Sequence, residues 1–432
     1  MNIKKTQIKS AFKTFIFLAL VFSTTQAISA TIYLQAKQYL DIKTGKLIKP
    51  ANLLIDGKKI VAINPANVPA TAIIIKKSNL TLLPGLMDMH VHLPNDFNQQ
   101  FKLQLVQDDD AMSTVRGVKN ARILLMAGFT TVRNLGLTPG EGFVDVALAK
   151  ASEAGWIVAP HIIPAGHGLS ITGGHMDPDM FGPYAPNVLP VSYRTGIADG
   201  VDEVIKSVRY QIKHGAKVIK AAATAGVLSE EDGVGNQQYS YEELKAMVDE
   251  AGRHDIPVAV HAHGTEGINA AVKAGVRSIE HGSLLDDESI RLMKQHGTFL
   301  IPTTYVTDAI NLDILSPITR KKAEYLMPIA KKNLQKAIKS GVKIAFGTDS
   351  PVIPHGENAK EFAALVRRGM QPIDAIRTAT INAADLLRLQ DRGQIRVGYH
   401  ADIIGVLENP LTNIHALEHV HFVMKDGEVF KG

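Results

Sequence analysis

Leu83-Pro84-Gly85-Leu86-Met87-Asp88-Met89-His90-Val91-His92 opens the long middle of this 432-residue chain. In an extended strand, residues two apart share a face, so the imidazoles of His90 and His92 can meet one ion. Imidazole at that reach suits zinc and similar divalent metals. Spacing alone is weak support, because 16 histidines in 432 residues give roughly half a His-x-His pair by chance. The chain holds three: His90/His92, His261/His263 and His419/His421. The last lies in a β-rich segment with no carboxylate of note beside it and reads as a surface or structural pair.

Outward from that stretch, apolar strand-like runs recur with helix-like stretches between them. They are Gly128–Val132, Ile157–Ile163, Ala216–Ala221, Pro257–His261, Ser278–His281, Thr298–Thr304 and Lys343–Thr348. Tyr241–His254 follows Ser240 and carries Glu243, a capping-box pattern. Pro328–Ser340 reads as a second helix. With Thr81–His92 as the first strand, the middle counts eight strand–helix units, the number of a parallel (β/α)8 TIM barrel of the α/β class. Periodicity by itself does not separate a closed barrel from an open doubly wound sheet.

Both ends have a different texture. Asp56-Gly57 between Leu53-Leu54-Ile55 and Ile60-Val61 is a hairpin signal, and Asp426-Gly427 between Val420–Met424 and Val429-Phe430 repeats it. The expected organisation is a small β-sandwich domain built from residues 31–82 and 391–432 around a barrel over 83–390.

Residues 1–30 read as a secretory signal peptide. Lys4, Lys5, Lys9 and Lys13 lead into the apolar run Phe15–Phe22, then small residues from Ala27 to Ala30. Eight apolar residues are too few to span a bilayer, which takes about 20; an N-terminal anchor is the competing reading. The expected location is secreted or periplasmic, with no stable membrane span once the signal is removed. The formal charge is +5, and those four lysines carry most of it. A nearly neutral remainder with a single tryptophan argues against a nucleic-acid partner. There are no cysteines, which excludes disulfides, thiolate metal sites and a cysteine nucleophile.

If the middle is a barrel, polar residues at the C-terminal ends of its strands converge on one mouth. His90 and His92 end the first strand, His261 the fifth, His281 the sixth, and Asp349, within Phe346-Gly347-Thr348-Asp349-Ser350, the last. Four strand ends carrying His, His, His and Asp make a metal-site constellation. Lys220 ends the strand Val218-Ile219-Lys220 and points a cation at the same mouth. It either snorkels to solvent or loses its proton and captures carbon dioxide as a carbamate able to bridge two metals.

The order PGLMDMHVH, VIK, VHAHG, SIEHG and GTDS resembles the amidohydrolase superfamily of metal-dependent hydrolases. More narrowly, it resembles the branch grouped with imidazolonepropionase-related amidohydrolases and Xaa-Pro dipeptidases. The similarity runs from about residue 32 to 432 and includes Gly393-Gln394-Ile395, Gly398 and Ala401-Asp402-Ile403-Ile404.

This resemblance implies two divalent ions, zinc in the first instance. His90, His92 and Asp349 would hold one, His261 and His281 the other, and Lys220 as a carbamate would bridge them. His261 and His263 face the same way, so which of them is the ligand stays open; the family pattern favours His261 and leaves His263 nearer the substrate. Asp349 would also be the catalytic proton carrier in hydrolysis of a C–N bond. His167, His175, Tyr305 and His355, on loops after the strands, are substrate-binding candidates, and Arg194 is a weaker one for a substrate carboxylate.

The implied substrate is a small molecule or dipeptide: an Xaa-Pro-type dipeptide, an N-acyl amino acid or an ochratoxin-like amide, cleaved to release a C-terminal amino acid. Competing readings are a cyclic-amide hydrolase or deaminase on the same fold, and a metal- or peptide-binding protein without activity. Assembly into a homo-oligomer is left open.

Overall fold

The strands Ile73–Pro84 and Leu86–Val91 meet at Gly85, in a computed structural model that describes residues 31–432 except 99, 137–139, 179–188 and 230–232. Residues 1–30, with the expected export signal, lie outside the described residues. The single strand expected over Thr81–His92 is thus divided between two sheets. Thr81–Pro84 pairs antiparallel with Ile403–Val406, Pro84 opposite Ile403 and Thr81 opposite Val406. Leu86–Val91 pairs parallel with Phe129–Asn134. Gly85 is required at the crossing, because a Cβ there would stand 2.1 Å from Thr130 Oγ1.

The strands of the two chain ends form one eight-stranded sheet. Ile32–Asp41 buries alternate residues, Leu34, Ala36, Gln38 and Leu40, as a strand with one covered face does. Ile32–Asp41 runs parallel to Ile73–Pro84 and antiparallel to Ala51–Asp56. The hairpin expected at Asp56-Gly57 joins Ala51–Asp56 to Lys59–Ile63. That at Asp426-Gly427 joins Phe422–Lys425 to Glu428–Lys431, with both turn residues at positive φ, 51° and 78°, as a two-residue hairpin turn favours. Leu53, Ile55, Leu82, Ile403, Phe422 and Met424 pack as the core of this part.

In the middle, Phe129–Asn134, Ile219–Ala222 and Val258–Ala262 are buried along their whole length. Strands covered on both faces read as unbroken apolar runs, which is why the sequence shows no alternation there. Parallel pairing runs in chain order through Leu86–Val91, Phe129–Asn134 and His161–Pro164. It runs again through Ile219–Ala222, Val258–Ala262, Ser278–His281 and Phe299–Ile301. Single parallel bridges continue the series: Leu169 to Ala221, Leu300 to Ile344, and Val91 to Ser350.

This is a TIM-barrel-like α/β arrangement. Its last expected strand, Lys343–Thr348, forms no regular ladder. The Thr348 amide is drawn to the Asp88 carboxylate at 3.2 Å, while Met89 N donates to Phe346 O at 2.9 Å.

Two helices show what local signals carry. Tyr241–Gly252 starts with both halves of the Ser240/Glu243 capping box formed. The helix expected from Pro328 instead begins eleven residues earlier, at Pro317 with Ser316 as its cap, and runs to Lys339. Proline favours a first turn, so Pro328 reads as a start. In the fold it sits mid-helix, a cost of about 3 kcal/mol, flanked by buried Leu326 and Leu334. Among the described residues, no helix is long and apolar enough to cross a membrane.

The crossing at Gly85 is testable. Gly85→Ala is expected to lower the unfolding free energy by about 2 kcal/mol, read as a lowered midpoint in denaturant. Adding Thr130→Ala should recover part of the loss; equal stability of Gly85→Ala and the parent would remove the steric explanation.

Candidate active site

The ends of the parallel strands gather a histidine cluster. His90 and His92 lie 5.2 Å apart between ring centroids, His90 and His281 5.0 Å, His261 and His281 4.8 Å, and His263 and His281 4.9 Å. Asp349 Oδ1 is 3.1 Å from His92 Nε2 and 3.3 Å from His90 Nε2. Two sets of donor atoms lie close enough to share an ion, His90 with His281 and Asp349, and His261 with His263 and His281. Lys220, 2 % exposed, lines the same cavity as these residues. All the expected metal ligands therefore stand at one mouth.

Local folding explains the positions. His90 and His92 alternate along one strand and its end. Asp349 is brought to them by main-chain bonds from Asp349 N to His90 O, 2.8 Å, and from His92 N to Ser350 O, 2.7 Å. Asp88, fully buried, accepts from the amide of His90, the amide and hydroxyl of Thr348, and Asn358 Nδ2. It thereby ties the strand bearing His90 to the turn bearing Asp349. Gly347 lets that turn pass under His90, since a Cβ would meet Ile301 at 2.3 Å and His90 at 3.0 Å.

His281, Thr303 and Asp349 all have left-handed backbone, φ 69°, 44° and 58°. In non-glycine residues this conformation persists where the surroundings over-determine it, most often at functional sites.

The electrostatics favour metal binding. Burial pushes the His90 pKa down to about 4, with Lys220 adding to the shift. Burial likewise holds His261 and His281 well below the ordinary histidine value. Neutral imidazole is the form that ligates metal. Burial opposes ionisation of Asp349, yet His90, His92 and His281 hold its carboxyl well below the usual carboxylate range. Burial lowers Lys220 to about 8, against the pull of Glu280 and Asp349. The buried His261 Nε2 has no hydrogen-bond partner among the described residues. An orphaned imidazole nitrogen amid other donors fits a divalent ion.

Two residues escaped the sequence reading. Glu280 Oε2 lies 2.9 Å from His90 Nδ1, while Glu280 Oε1 accepts from Arg133 Nη2 at 2.8 Å and Ser278 Oγ at 2.5 Å. Burial would raise the Glu280 carboxyl, but Arg133 and His90 bring it down to about 2. A carboxylate on the far nitrogen of a ligating histidine fixes its tautomer and ring orientation. Glu280 is visible in SIEHG, but nothing in one strand tells that it faces Arg133, 147 positions away.

The substrate candidates divide. His263 and His175 line the cavity: His263 Nδ1 is 2.8 Å from Ser283 Oγ, and His175 stacks on His261 at 4.0 Å with its Nδ1 2.8 Å from Ser229 Oγ. His167, Tyr305 and His355 are not among its lining residues. His167 packs edge-on against Phe143 at 5.1 Å, and His355 Nε2 is 3.0 Å from the Asn95 carbonyl. Tyr305 donates its amide to Glu361, with Lys360 5.9 Å from its ring. Arg194 is exposed beside Tyr193. A third His/Asp group, His161 with Asp402 and Asp426, lies at the seam with the terminal sheet, where Arg392 and Lys58 already pair those carboxylates.

The cavity encloses about 750 Å³, and the histidines and Asp349 are among its lining residues. Leu228, Ile310, Leu326, Met327, Ala330 and Leu334 give it an apolar wall.

The profile of the amidohydrolase family matches residues 81–430. The chain belongs to the amidohydrolase family. It is a hydrolase acting on amide bonds, in a family that is generally metal-dependent and acts on small molecules. It is 38 % identical over 413 residues to the ochratoxinase of Aspergillus niger, covering 90 % of this chain and 84 % of that protein. A solved Xaa-Pro dipeptidase with methionine bound in its active site superposes with a TM-score of 0.87 at 36 % identity, over 93 % of this chain and all of that one. A prolidase solved with N-methylphosphonate-L-proline gives a TM-score of 0.83 at 32 % identity, again over 93 % and 100 % of the two chains.

Glu280→Gln is expected to weaken metal retention about 10- to 100-fold and to lower the melting temperature, because Arg133 is left buried without its counter-charge. Competition against a chromogenic chelator measures the first. Unchanged metal affinity would deny Glu280 its part in orienting His90.

Proposed function

We propose that this chain is an exported, dipeptidase- or carboxypeptidase-like amide hydrolase. It releases a C-terminal amino acid from Xaa-Pro-type dipeptides, N-acyl amino acids or ochratoxin-like amides. In this reading His90, His92 and Asp349 would hold one divalent ion, His261 and His281 would hold a second, and Lys220, as a carbamate, would be a ligand to both. Imidazole and carboxylate donors suit zinc. The wider organisation proposed with it is a closed barrel over 83–390, a small β-sandwich from 31–82 and 391–432, and a signal peptide over 1–30 directing the chain to the periplasm or outside.

The observation that carries the proposal is the gathering of these imidazoles, Asp349 and a buried lysine in one cavity that also has apolar lining. Ions so held would ionise a water near neutral pH and polarise the scissile carbonyl. The chain's own groups do the rest. Asp349, kept ionised by the imidazoles around it, can take the proton of the attacking water and pass it to the departing amine. Glu280 holds His90 with Nε2 towards the mouth. His263 and His175 face the substrate. The wall from Leu326 to Leu334 offers an apolar surface to a bulky acyl group or side chain, as the similarity to ochratoxinase and Xaa-Pro dipeptidase also suggests.

Asp349→Asn should leave the fold intact and cut turnover by about 10²–10⁴-fold, measured on a panel of proline- and phenylalanine-terminated dipeptides, N-acyl amino acids, hydantoins and imidazolones. Near-normal turnover would sink the role of Asp349, and exclusive ring opening would refute the peptidase reading.

Metal analysis of protein purified without chelator should find about two divalent ions per chain, falling in Lys220→Ala. A single ion, unchanged in that variant, would refute the bridged site.

A further inference from the structure

We infer that Glu361 is a positioning residue for His281, acting through the turn that follows the Phe299–Ile301 strand. The inference rests on the proposed function only in taking His281 as a metal ligand.

Glu361 lies in the helix Lys360–Arg367, fully buried. Its two carboxylate oxygens accept from two consecutive main-chain amides, Oε1 from Thr304 N at 2.9 Å and Oε2 from Tyr305 N at 2.6 Å. Successive amides pointing at one acceptor group form a nest, and the acceptor fixes the backbone that makes it; burial raises the Glu361 pKa to about 8, against the hold of those two amides. The residue before that nest is Thr303, whose φ of 44° is a conformation a β-branched side chain rarely adopts. Thr303 Oγ1 lies 2.8 Å from His281 Nδ1.

With Thr303 Oγ1 as acceptor of the Nδ1 proton, the tautomer this inference assigns, the lone pair of His281 lies on Nε2, and His281 offers a donor atom within reach of those of His90 and Asp349. The turn is held from outside as well, since Asp308 pairs with Arg367 at the end of the same helix, with Arg368 that follows it and with Lys331. Glu361 never reaches the cavity, and its effect travels through the Thr303 backbone and hydroxyl.

A double-mutant cycle on the full chain tests this with metal release as the readout. Zinc-loaded protein is mixed with excess chromogenic chelator, and the release rate of the more labile ion is followed. Glu361→Gln replaces one acceptor oxygen with an NH2 group that opposes an amide N–H, and Thr303→Val removes the hydroxyl. Each is expected to speed release about tenfold, the double variant no more than the faster single, and Thr303→Ser to stay near the parent.

Multiplied effects, near 100-fold in the double variant, would overturn the inference, because the two residues would then act independently. So would a Glu361→Gln rate equal to the parent. If Glu361→Gln does not fold, Glu361→Asp, too short to span both amides, takes its place in the cycle with the same outcomes. A parent chain that takes up no zinc defeats the metal-centre reading itself, a failure distinct from parental retention unaltered by either substitution.

Discussion

Charge buried without water has to be matched, and the mouth of this fold depends on one such match. Glu280 and Arg133 lie 0 % and 1 % exposed, where an unpaired ion costs several kcal/mol. Arg133 also donates to the Met89 carbonyl at 2.7 Å and to Ser278. The pair therefore spans from the strand of His90 to the strand of His281. Its remaining oxygen takes the inner nitrogen of His90, so one ion pair sets the spacing of two strands and the orientation of a donor. Lys220 is under the opposite pressure. Burial weakens its hold on its proton, and a neutral amine is the form that reacts with carbon dioxide.

Backbone strain marks the same place. His281, Thr303 and Asp349 bring left-handed φ values to three neighbouring strand ends, each at a cost of about 1–3 kcal/mol. Each is held by partners from another element: Thr303 beside His281, Glu361 under the amides after Thr303, and Asp88 with Asn358 around Thr348. Rigid, pre-turned donors need little reorganisation to receive a ligand.

Much of this was legible in the sequence where one strand carries its own message. His90 and His92 share a face because alternation is a local property, and the Ser240/Glu243 cap and the Asp426-Gly427 turn are local as well. What stayed hidden depends on distant partners. Glu280 looks like any strand residue until Arg133 and His90 stand beside it. Thr81–His92 looks like one strand until Gly85 is seen to pass Thr130. Tyr305, His167 and His355 sit on loops after strands, where pocket residues are expected, and no local pattern tells that the Tyr305 amide meets Glu361, His167 packs on Phe143 and His355 meets the Asn95 carbonyl. Pro328 misled for a related reason: a proline reads as a beginning, and only the packing of Leu326 and Leu334 shows the helix running through it.

The pairing of Thr81–Pro84 with Ile403–Val406 also has a meaning in time. These partners are more than 300 residues apart in sequence, and closing so long a loop slows folding. During synthesis the strand bearing His90 is made early, yet the sheet edge that anchors its base stays open until the residues beyond 403 have emerged. A ribosome stalled near residue 390 would carry the histidines and Asp349 of the cavity on an unfinished scaffold with an exposed edge, the kind of intermediate that aggregates or draws chaperones.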